Sequence, residues 1–162
     1  MTDDVSRVFR PPNTLSAKVT KGGPGAVNLA TLEKAEQVIA DLATNYLEWV
    51  EDDLQRLQGA FADLKDGNGD QSLALNKIFE LVHDMKGQGG TFGYNLMTVI
   101  GDQLCRYIET LDGHASSDAI EVIQLHVDAL QVVISQNLSA DGGAVGIQLL
   151  QGLEQVMAKR ST

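Results

Sequence analysis

An all-α fold is predicted for this chain, specifically an antiparallel up-down four-helix bundle with additional terminal helices. Three observations predict it. No proline occurs after Pro24, and from Thr31 onward apolar residues recur at steps of three and four. No stretch alternates every second residue with β-branched enrichment, so no sheet is assigned. At 162 residues with 43% apolar side chains, the chain suits one compact domain with a sizeable core.

Residues 1–30 stand apart from that pattern. They hold all three prolines, the Gly22-Gly23-Pro24-Gly25 cluster and a local charge of +2. Such punctuation cannot sustain a helix and offers little to bury. The expected organisation is a flexible, mildly basic arm over 1–30, followed by a helical bundle over 31–162. A leading helix, about Leu32 to Ala43, precedes or continues into the first long stripe: Tyr46, Val50, Leu54, Leu57, Phe61, Leu64. Gly67-Asn68-Gly69-Asp70 supplies a turn. The second stripe, Leu75, Ile78, Phe79, Val82 and Met85, runs into glycines at 87, 89, 90 and 93. A third reads Leu96, Val99, Ile100, Leu104, Ile108, Leu111 and stops at Asp112-Gly113. Ser116 or Ser117 caps the fourth, Ile120 to Leu138. Asp141-Gly142-Gly143 then separates a shorter last helix containing Leu149, Leu150, Leu153, Val156 and Met157.

Composition excludes several functions. A formal net charge of −10 argues against nucleic-acid binding, which needs basic charge to neutralise phosphates. One cysteine, Cys105, permits no intramolecular disulfide and no multi-cysteine zinc site. No apolar run approaches the roughly 18 residues of a membrane span, and no signal sequence opens the chain. A cytoplasmic protein without membrane attachment is expected.

The informative run is His83-Asp84-Met85-Lys86-Gly87-Gln88-Gly89-Gly90-Thr91-Phe92-Gly93. At about 100° per residue, His83 points roughly 120° away from the stripe through Ile78, Val82, Met85 and Gly89. It faces solvent or a partner, against the ordinary expectation of a core histidine. Gly87 and Gly90, four and seven residues on, share its flank. Each helical glycine costs about 1 kcal/mol relative to alanine, so stability alone does not account for them. Their effect is to clear side chains from the surface beside the imidazole and admit another protein's backbone. Lys86, three residues after His83, can bring its ammonium over the same patch. It would repel a metal cation but suits an anion on the imidazole nitrogen, phosphoryl above all. An exposed imidazole is largely neutral above about pH 7 and offers a nucleophilic lone pair. No Walker motif, kinase glycine loop or paired magnesium carboxylates occur. The phosphoryl donor is therefore expected to be a second protein carrying its own metal.

The run His83-x-Met85-Lys86-Gly87-x-Gly89-x-x-Phe92-Gly93 resembles the signature of histidine phosphotransfer (HPt) domains of bacterial two-component phosphorelays. The resemblance implies a phosphocarrier rather than an enzyme, taking phosphoryl from the receiver aspartate of a hybrid histidine kinase and passing it to the receiver of a response regulator. By the same carry-over, His83 is the phosphoacceptor, Lys86 stabilises the phosphoryl group and Gly87 is the clearance position. Gly90, Phe92 and Tyr94 are expected at the partner-binding fringe, with exposed parts of Phe92 and Tyr94 in contact. Several members place a glutamine on the following helix opposite the histidine. That slot falls at Cys105 here, with Gln103 and Arg106 as neighbouring candidates. Gly89 replaces the more usual Ser or Ala, which is expected to loosen helix packing slightly. No cofactor or metal is expected on this chain, magnesium being the partner receiver's, and a monomer suffices.

A dinucleotide-binding fingerprint fails on Phe92 and on the missing strand. His114 and His126 show no ligand spacing with Cys105 and are expected at surface or rim positions. Tyr46, Trp49, Phe61, Phe79 and Phe92 read as core or interface packing, and Glu51-Asp52-Asp53 as a solvated face. The alternative function is a non-catalytic helical adaptor that binds and blocks a receiver or kinase domain.

Overall fold

The computed structural model describes residues 28–67 and 69–160. Its helices are α1 (Leu29–Asp66), α2 (Gln71–Thr91), α3 (Asn95–Glu109), α4 (Ser117–Ser135) and α5 (Gly143–Arg160), and no strand occurs among the described residues. The expected arm falls almost wholly on residues 1–27, which lie outside the described residues. The chain divides into two units, residues 1–41 and Leu42–Thr162. The described part of the first is the opening of α1, where Leu29, Leu32, Val38 and Ile39 are all exposed. The second holds the core.

Helix boundaries follow local chemistry. The expected leading helix and first long stripe form one helix, because nothing between Leu29 and Asp66 breaks the backbone pattern. Asp70 caps α2, its carboxylate accepting from Ser72 N at 2.9 Å. Ser116, rather than Ser117, caps α4, accepting from Ala119 N at 3.2 Å. α3 ends at Glu109, two residues before Leu111, and Asp112 and Gly113 turn the chain with positive φ. α5 is comparable in length to α4 rather than short.

The predicted stripes are the buried faces. Tyr46, Val50, Leu57, Ile78, Val82, Ile100, Leu104, Ile123 and Leu130 interdigitate in one core. Each such aliphatic residue contributes on the order of 1.5–3 kcal/mol by leaving water. Two expectations need correction. Val99, assigned to the third stripe, is exposed, since it lies one residue off the inward-facing Ile100. His126, expected at the surface or rim, is buried on α4; its Nδ1 lies 2.8 Å from Val122 O and its Nε2 has no partner among the described residues. Its place between Ile123 and Val127 and beside Leu130 puts it on the apolar face of the helix.

The end of α2 is tied down from two sides. Tyr46 stacks on Phe92 at a centroid distance of 4.6 Å and meets Tyr94 at 5.4 Å. Tyr94 Oη donates to Asn137 Oδ1 at 2.5 Å, and Ala140 N donates to Gly93 O at 2.6 Å. The turn after α2 is thereby anchored to the α4–α5 connection. These contacts fix the helix that carries the candidate site.

Candidate functional site: the exposed face of α2

His83 sits in the middle of α2 with its side chain 58% exposed. Its neighbours along the chain, Val82 and Met85, point into the core, so helical periodicity alone turns the imidazole outward. The Phe79 ring, one turn earlier, lies nearly parallel to it with centroids 6.0 Å apart. Nδ1 faces the Asp84 carboxylate at 3.7 Å, beyond hydrogen-bond length.

The three α2 glycines after Lys86 differ in what surrounds them. A Cβ built on Gly87 would meet nothing within 4 Å among the described residues, so its bareness serves no packing there. On Gly90 it would stand 3.1 Å from Thr98 Oγ1, a moderate crowding against α3. On Gly89 it would stand 2.6 Å from Met97 Cβ and 3.1 Å from Tyr94 O. The expectation that Gly89 loosens packing is therefore reversed: the missing side chain lets α3 approach α2 more closely than Ser or Ala would allow.

Lys86 is held by α3 at three points. Its carbonyl accepts from Thr98 Oγ1 at 2.9 Å. Its Cβ packs over Gly101, where a Cβ would approach to 2.8 Å. Its ammonium donates to Asp102 Oδ1 at 3.1 Å, leaving the side chain only 23% exposed. Asp102 Oδ2 in turn pairs with Arg106 Nε at 2.9 Å. The hydrogen bond from Lys86, with Arg106 adding to it, holds the Asp102 carboxyl below the usual carboxylate range.

The remaining candidates separate cleanly. Arg106 joins the group only through Asp102. Gln103 is partly buried, and its Oε1 has no hydrogen-bond partner. Cys105, at the slot where several family members place a glutamine, is buried, and burial pushes its thiol pKa up. Phe92 is half-buried against Tyr46. Tyr94 corrects the expectation of an exposed fringe residue: it is buried, because its ring and hydroxyl anchor the turn.

Sequence reading missed Asp102, Thr98 and Gly101. A signal was present: Asp102 and Arg106 follow Thr98 at four-residue steps and Gly101 follows it by three, which places them on one face of α3. What spacing could not supply was that this face meets Lys86. Among the described residues, no three His, Cys, Asp or Glu side chains converge to hold a metal ion, and no helix is long and apolar enough to cross a membrane.

The Hpt domain family model matches residues 41–133, more than half of the chain, and its matched span contains His83 and α2 through most of α4. The chain belongs to the Hpt domain family. Its role is accordingly of the phosphotransfer type found in phosphorelays, that of a phosphocarrier with receiver domains as partners. No curated protein and no solved structure matches it. α5 lies outside the matched span.

Proposed function

We propose that His83 is the phosphoacceptor, taking phosphoryl from the receiver aspartate of a hybrid histidine kinase and handing it to the receiver aspartate of a response regulator. The observation that carries this reading is the pairing of an exposed imidazole with the open space at Gly87, one helical turn away. With the proton on Nδ1, the side facing Asp84, the lone pair resides on Nε2. Nε2 attacks the phosphorus of the aspartyl phosphate: the N–P bond forms, the P–O bond to the aspartate breaks, and the partner's carboxylate leaves. The Nδ1 proton is then released to water. Onward transfer reverses these bonds on a second receiver. The partner supplies magnesium, and Lys86 offsets charge on the phosphoryl oxygens.

The partner surface of this reading is the ground around His83, with Gly87 and Gly90 admitting its backbone and Phe92 offering a half-exposed ring. In this reading the protein acts in the cytoplasm as a monomer. The test is incubation with a phosphorylated hybrid kinase, comparing wild type with His83→Gln. An acid-labile label on wild type alone is expected. Equal binding by both proteins without label transfer overturns the carrier and leaves an adaptor that occupies the receiver.

A further inference from the structure

Lys86 reaches the phosphoacceptor face with its charge already engaged. Its position three residues after His83 makes the two side chains neighbours on the helix surface, yet its ammonium is bonded to Asp102 on α3. Asp102 is itself shared, one oxygen to Lys86 and the other to Arg106. The Lys86 backbone and stem are fixed by Thr98 and Gly101, so only the outer methylenes and the ammonium are free to change partner. When Asp102 loses Lys86 it keeps Arg106, and its carboxylate is not stranded. The cation is paired with Asp102, and its place three residues after His83 puts an anion on the imidazole within its range of alternatives.

We propose that Asp102 is a positioning residue for phosphoryl transfer, a latch that holds the Lys86 ammonium against α3 and yields it to the phosphoryl group on His83. Asp102 touches neither the imidazole nor the reacting phosphorus and acts only by competing for Lys86. A phosphoryl group carries close to two negative charges at neutral pH, against one on the carboxylate, and so draws the ammonium away. The latch shortens the life of phospho-His83, because part of the Lys86 interaction is always contested. That property suits a carrier that must give its group away. The inference rests on the proposed role of His83.

The test uses the full chain loaded with phosphoramidate, whose N–P bond breaks and releases ammonia as the bond to imidazole forms. The decay of the phosphohistidine signal is followed by ³¹P NMR in wild type, Asp102→Asn, Lys86→Gln and the double variant. Weakening a partly exposed ion pair is expected to lengthen the lifetime about two- to fivefold in Asp102→Asn. In the Lys86→Gln background, Asp102→Asn is expected to change nothing, since there is no ammonium to release. Two results overturn the latch: an Asp102→Asn lifetime equal to wild type, or the same lengthening with Lys86 absent, which would make Asp102 a bulk charge. Wild type that takes no phosphoryl at His83 overturns the proposed function itself and the latch with it. Thermal unfolding of all four proteins checks that the fold is unchanged; Asp102 is only half-buried, in the middle of α3.

Discussion

Gly89 and Met97 mark a close approach of α2 to α3, with room for a hydrogen but not a methyl group: a Cβ on Gly89 would lie 2.6 Å from the Met97 Cβ. Because Met97 is fully buried and Tyr94 O closes the other side, neither neighbour has space to retreat. Gly89→Ala is therefore expected to destabilise the protein by about 1–2 kcal/mol. The overpacking cost exceeds what alanine returns in helix propensity. Urea unfolding measures it, and a variant as stable as wild type would contradict the close approach.

Gly87 has the opposite character. Gly87→Ala meets nothing among the described residues and gains up to about 1 kcal/mol of helix propensity, so the same unfolding assay should show equal or greater stability. Transfer from a phosphorylated receiver should slow, and Gly87→Glu should slow it further through weaker docking. A stabilised variant with an unchanged transfer rate would remove Gly87 from the partner interface.

Lys86→Ala leaves His83 exposed but removes the cation three residues away. Shorter-lived phospho-His83, by roughly threefold to tenfold, is expected from the loss of a charge-assisted contact. The measurement is label loss after the donor is removed; kinetics identical to wild type would exclude Lys86 from the chemistry.

His126 carries a pH dependence. Burial lowers its folded-state pKa below the ordinary 6.5, so the folded protein prefers the neutral ring. The unfolded chain then binds more protons than the folded one just below pH 6.5. Stability attached to this group is complete above that pH, falls as pH drops toward the folded pKa, and levels off beneath it. Unfolding curves collected from pH 7.5 downward should show this decline in wild type and a flatter profile in His126→Leu.

Tyr46 is wholly buried, its hydroxyl has no hydrogen-bond partner among the described residues, and burial pushes its pKa up to about 12. Tyr46→Phe keeps the stack on Phe92 and removes an unsatisfied polar group. It should be neutral or stabilising by up to about 1–2 kcal/mol. Tyr94→Phe, which breaks the bond to Asn137, should instead cost about 0.5–1.5 kcal/mol. A reversed order in thermal unfolding would contradict both hydroxyl assignments.

The sequence by itself determined the helices, their inward stripes and the outward direction of His83, because these depend on residue period and on local breakers such as Gly67 and Asp112-Gly113. The bareness around His83 was also legible, since glycine is visible as a letter. Only the tertiary structure decided what each glycine is for. Gly87 faces open space while Gly89 faces Met97, a distinction made by a helix eight residues away. It likewise decided that Tyr94 is an anchor, that His126 is in the core, and that Lys86 is claimed by Asp102 sixteen residues later. Such pairings arise where two helices meet, and periodicity along one helix says which way a side chain points but not what it finds there.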